Sequence, residues 1–107
     1  MKHRIEEKQG ATVVALDGDV DLESSPAARE VLMKCVSDAK KVLVDLSGVS
    51  YIDSSGVATL VEALQSARKK GTEFALAAVS EPTRRVLELA RLDKVFTLHK
   101  TVEDGLG

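Results

Sequence analysis

Aromatic residues are nearly missing from this sequence: one Tyr, two Phe and no Trp in 107 residues. The core must therefore be aliphatic, and a basic surface interleaved with aromatics, as nucleic-acid binding would use, is excluded. Cysteine is as scarce. Cys35 stands alone, which rules out a disulfide framework, and on the apolar face of a predicted helix it reads as a small buried hydrophobe. Long apolar runs are also absent. The longest, Phe74 to Val79, has six residues, whereas a membrane-spanning helix needs about 20. The stretch Met1 to Glu7 lacks the apolar centre of a signal peptide. These absences predict a cytoplasmic protein with no direct membrane insertion. Neither sign of charge dominates, with 15 Lys and Arg against 17 Asp and Glu. The length suits a single domain over residues 1–107.

What is present alternates strand and helix patterns. His3 to Lys8 reads as a polar edge strand, and Gln9-Gly10 as the turn of a hairpin into Ala11–Leu16. Ala11–Leu16 is apolar on both faces, as in a sheet covered on both sides. Ser24-Ser25-Pro26 opens a helix with a hydroxyl cap, continued by Ala28, Val31, Leu32, Cys35, Val36 and Ala39. A strand over Lys41–Leu46 and a helix from about Ser55 to Lys69 follow, the helix closed by Lys69-Lys70-Gly71. Then come a strand over Glu73–Val79, a helix opened by Ser80-Glu81-Pro82-Thr83, a short strand over Val95–Leu98, and a terminal helix capped at Thr101. The pattern predicts an α/β fold, a mixed and mostly parallel sheet of about five strands with three to four helices.

The chain is organised around Val42 to Leu64. An apolar strand leads through Asp53-Ser54-Ser55-Gly56 into a helix whose Val57, Leu60, Val61 and Leu64 share one face. The tetrapeptide thus sits where a helix offers unpaired N–H groups and the positive end of its dipole. Ordinary capping explains Asp and Ser there; an anion site or a phosphorylated hydroxyl is the functional alternative. Gly56 in a first helical turn implies a close approach by another backbone or a partner. Asp17, Asp19 and Asp21 suggest either a polar turn or a metal loop. The calcium-loop pattern fails, since Leu22 and Ala28 stand where its Gly and Glu belong. In parallel sheets the carboxyl ends of the strands share one edge, so Asp19 and Asp21 are expected near Ser54. His3 and His99 lie on edge strands at the two ends of the chain and assemble no triad; no catalytic set is present.

These residues carry a resemblance. Leu16-Asp17-Gly18-Asp19-Val20-Asp21, Val44 through Gly56, and Glu81 through Leu92 resemble the STAS domains of anti-sigma-factor antagonists. The match runs from about Thr12 to Leu106. The resemblance implies a partner-switching phosphoprotein and not an enzyme, needing no cofactor and no metal. It implies an anti-sigma factor with serine kinase activity as partner, phosphorylation at Ser54, and a serine phosphatase that reverses it. Asp19, Asp21, Asp53, Ser54, Ser55 and Gly56 would face the partner. Within the pair of serines, Ser55 is expected to cap the helix. Val57-Ala58 departs from the Leu-Gly that antagonists commonly carry. The alternative membership is a STAS accessory subunit docking on the ATPase of a lipid-transport ABC system.

Overall fold

The computed structural model describes residues 1–107. The elements are β1 (Lys2–Lys8), β2 (Ala11–Val20), α1 (Ser25–Asp38), β3 (Lys41–Ile52), α2 (Ser54–Lys70), β4 (Glu73–Ala77), α3 (Glu81–Leu89), β5 (Leu98–His99) and α4 (Val102–Leu106). One five-stranded sheet has the order β1-β2-β3-β4-β5. β1 runs antiparallel to β2, and every other neighbour is parallel. The mixed, mostly parallel sheet follows from the chain's own punctuation. Gln9 and Gly10 both have positive φ, at 50° and 80°, a two-residue type I′ turn whose twist matches a hairpin. β2, β3 and β4 are each followed by a helix that returns the chain to the same starting edge.

The main core is aliphatic and lies on one face of the sheet. Val14, Leu16, Val42, Val44, Leu46 and Leu76 meet Leu32 and Val36 of α1, Leu60 and Leu64 of α2, and Leu87 of α3. Cys35 is buried in it, and burial pushes its thiol pKa up, with the Asp38 charge adding to the shift. The opposite face holds only Val13, Leu43, Ala75 and Ala77, packed by Val102 and Leu106 of α4. Coverage of both faces is thus unequal: three helices on one side, a single five-residue helix on the other. No helix is long and apolar enough to cross a membrane.

Two strands run further than their apolar stretches. β2 continues past Leu16 to Val20 and β3 past Leu46 to Ile52, paired as Asp17↔Gly48, Gly18↔Val49, Asp19↔Tyr51 and Val20↔Ile52. Register shifts between Ala15 and Asp17 and between Gly18 and Asp19 break the period-two alternation, so the extension does not read as strand in the sequence. Buried Val20, Val49 and Ile52 hold it to the core. Two strands are shorter or displaced. β4 stops at Ala77 because Ala78 turns to φ 55°. β5 is Leu98–His99 and not Val95–Leu98, since Val95 and Phe96 donate to the Leu92 carbonyl in a helical turn.

Candidate functional site

The paired extensions of β2 and β3 carry two loops to one edge. α2 begins beside them, and its N-cap is Asp53 rather than Ser55. Asp53 has the extended backbone a cap needs, and its Oδ1 accepts from the Ser55 N–H at 2.9 Å and the Gly56 N–H at 3.1 Å. A carboxylate one residue before the helix reaches the second and third amides; the Ser55 hydroxyl, already inside the first turn, does not. Asp53 Oδ2 accepts from the Leu22 N–H at 3.1 Å. The Asp53 N–H donates to the Val20 carbonyl at 3.3 Å. One residue therefore caps α2 and ties it to the loop after β2.

Gly56, expected among the partner-facing residues, is buried, and what it approaches is the chain itself. A Cβ there would stand inside van der Waals contact with the Val20 carbonyl oxygen and 2.6 Å from Ile52 Cγ1. The glycine lets α2 start hard against the end of β2. Ser54, the first residue of α2, is exposed, whereas Ser55 is half-buried.

The loop after β2 is built on Asp21 and Ser24. Asp21 Oδ1 accepts from the Ser24 N–H and the Ser24 hydroxyl, each at 3.0 Å, and the Asp21 N–H donates to Ser24 Oγ at 3.0 Å. The Ser24 hydroxyl also lies 2.9 Å from the Asp19 carbonyl oxygen. Ser24 thus spends its side chain on the loop and caps no amide of α1. Instead, the Ser25 N–H donates to the Asp21 carbonyl at 2.8 Å, so the chain enters α1 already coiled. The Ser24 N–H, then the Ser24 hydroxyl, hold the Asp21 carboxyl below its ordinary 3.8.

Asp21 and Asp53 line one shallow hollow with Leu22, Glu23 and Tyr51. Asp19 pairs with Tyr51 across the strands and lines a neighbouring hollow with Asp21, Glu23 and Ser24. The edge therefore brings together Asp19, Asp21, Asp53 and the start of α2. Asp17 stands apart, with its carboxylate against Gly48, and no three His, Cys, Asp or Glu side chains converge as a metal would require. His3 and His99 are on the two edge strands, His99 half-buried. The sequence reading passed over Leu22 and Tyr51, which are 74% and 53% exposed. An apolar residue between two acids, Asp21 and Glu23, and the chain's one Tyr were the available signals. The arrangement offers exposed apolar surface within an acidic rim, one residue along the chain from the exposed Ser54.

The fold recurs in known proteins. The family model described as STAS domain matches residues 2–105. The anti-sigma-F factor antagonist RsfB of Mycobacterium tuberculosis is 32% identical over 103 residues, 95% of this chain and 84% of that protein. The crystal structure of an anti-sigma factor antagonist from Mycobacterium paratuberculosis superposes with a TM-score of 0.90 at 31% identity, covering 98% of this chain and 90% of the other. The anti-sigma factor antagonist SpoIIAA in its unphosphorylated form shares the fold, with a TM-score of 0.81 at 18% identity over 98% of this chain and 93% of its own. The chain belongs to the STAS-domain family, with anti-sigma-factor antagonists among its relatives.

Proposed function

We propose that this chain is an anti-sigma-factor antagonist that works by partner switching. Unmodified, it holds an anti-sigma factor that is also a serine kinase. Phosphorylation of Ser54 releases that partner, and a serine phosphatase restores binding. The observation that carries this reading is the exposed serine at the first position of α2, directly after the capping Asp53, which itself lines the hollow with Asp21, Leu22, Glu23 and Tyr51. The similarity to proteins named as antagonists gives the partner its class. Asp19, Asp21, Asp53 and Ser54 form the partner-facing rim; Ser55 and Gly56 support it from within.

The physics of the switch lies in what α2 has left to offer. Phosphate adds roughly −1.5 to −2 charges. The Ser55 and Gly56 amides are already taken by Asp53, so the new charge gains the helix dipole but not those two donors. It also stands next to Asp53. The fold tolerates an exposed charge at a helix start, whereas a partner covering the rim has to desolvate it beside like charges. Modification thus acts on binding and leaves the fold in place. Docking on a transporter ATPase has no comparable observation behind it. Capture of the tagged chain from its native cell, with mass spectrometry of Ser54, tests the reading: an anti-sigma factor and a phosphorylated Ser54 peptide support it, and a transporter ATPase with unmodified Ser54 overturns it.

A further inference from the structure

We infer that residues 97–107, which carry β5 and α4, form a strap that lifts off the sheet as one unit while the rest of the domain stays folded. A five-residue helix does not hold itself together in water, so α4 exists only while it is docked. Its dock is small. Val102 and Leu106, both half-buried, are the apolar side chains it lays over Val13, Leu43, Ala75 and Ala77, and two of those four are alanines. Gly105 comes so close that a Cβ would stand 2.7 Å from Leu43 Cδ2, yet it buries no side chain of its own. Open hollows flank α4 on both sides, one beside Thr101, Val102 and Glu103, the other beside Asp104 and Gly105. The helix thus meets the sheet along a narrow line.

Little else holds the segment. Thr101 Oγ1 accepts the Asp104 N–H at 3.0 Å, a bond that closes within the segment, and no side-chain hydrogen bond or ion pair crosses from it to the rest of the chain. The backbone crosses in β5 alone, where the Leu76 N–H donates to the Thr97 carbonyl at 2.9 Å and the Ala78 N–H to the His99 carbonyl at 3.0 Å. Leu98, half-buried, is the strap's one foothold on the main core. Phe96 is buried in that core, so the hinge follows it. Elements that bury few apolar contacts open at a lower free energy than the whole domain. Opening uncovers Val13, Leu43, Ala75 and Ala77 and frees the outer edge of β4. The Ser54 edge is anchored by Val20, Val49 and Ile52 in the core on the opposite face, so the inference stands independently of the switch.

Amide hydrogen exchange of the wild-type chain, followed by NMR across low denaturant concentrations, is the test. Peptide groups alternate in direction along β4. Leu76 bonds β5, so Ala75 and Ala77 bond β3. All three residues are buried. Corrected for intrinsic rate, the Leu76 amide should exchange at least about a hundredfold faster than those of Ala75 and Ala77, with a shallower dependence on denaturant. Leu106→Ala should speed Leu76 at least about tenfold further. Val36→Ala, in the main core, should speed Ala75 and Ala77 and leave Leu76 unchanged, because it destabilises the docked and the opened forms alike. One opening constant for all three amides overturns the inference. So does a Leu76 rate unmoved by Leu106→Ala, or one raised by Val36→Ala together with Ala75 and Ala77.

Discussion

Asp53 Oδ2 accepts the Leu22 N–H at 3.1 Å across a separation of 31 residues. That bond joins the start of α2 to the loop carrying Asp21, while the other oxygen of the same carboxylate caps the helix. Removing it should act in two places. Asp53→Ala is expected to lose about 1–2 kcal/mol of stability, as capping residues do, measured by urea unfolding. Amide exchange at Leu22 should rise with it. Ser55→Ala, by contrast, should stay within about 0.5 kcal/mol of wild type, because its hydroxyl caps nothing.

Gly56→Ala should be destabilising although Ala is the better helix former. The added Cβ meets the Val20 carbonyl and Ile52 Cγ1, and both belong to the buried end of the β2–β3 pair. A loss of about 1–3 kcal/mol is expected from such overpacking. Thermal unfolding of the variant checks it, and a gain in stability would contradict the close approach described.

Asp21 should titrate below its ordinary 3.8, chiefly because the Ser24 N–H and hydroxyl bond its charged form. A folded-state value depressed below the unfolded one means that the stabilisation is present above pH 3.8 and is lost as pH falls through the folded value. Carbon-detected NMR of the Asp21 carboxyl gives that value directly. Ser24→Ala should move it upward toward the ordinary range, with the N–H contribution remaining.

Leu22 and Tyr51 are large, exposed and set in the acidic hollow. Leu22→Ala and Tyr51→Ala should leave unfolding within about 0.5 kcal/mol of wild type and weaken anti-sigma-factor binding by about 1–2 kcal/mol each, as anchors at an interface centre do. Isothermal titration with the captured partner separates the two effects.

Much of this was legible in the sequence, and the exceptions share a cause. The element order, the hairpin at Gln9-Gly10 and the mostly parallel sheet follow from local periodicity and turn chemistry. The extensions of β2 and β3 did not, because their backbones stay paired through two register shifts while the side chains lose alternation. The edge location of Ser54 was readable from Val57, Leu60 and Leu64. Which residue caps α2 was not, since Asp53 and Ser55 are both suitable residue types and only backbone conformation decides between them. Gly56 announced a close approach, but its partner, Val20, lies 36 residues away in the chain. Leu22 between two acids and the chain's one Tyr were faint signals, but the exposure that makes both a candidate surface is a tertiary fact.

Charge on Ser54 is proposed to switch binding without unfolding the domain. The decisive measurement is affinity for the anti-sigma factor before and after stoichiometric phosphorylation by that same partner with ATP. The modified wild-type chain should bind at least about tenfold more weakly with its unfolding midpoint nearly unchanged. Ser54→Ala should take up no phosphate and bind like the unmodified chain, and Ser55→Ala should behave as wild type. Equal affinity before and after modification, or phosphate incorporated into Ser54→Ala as readily as into wild type, rules out a switch at Ser54.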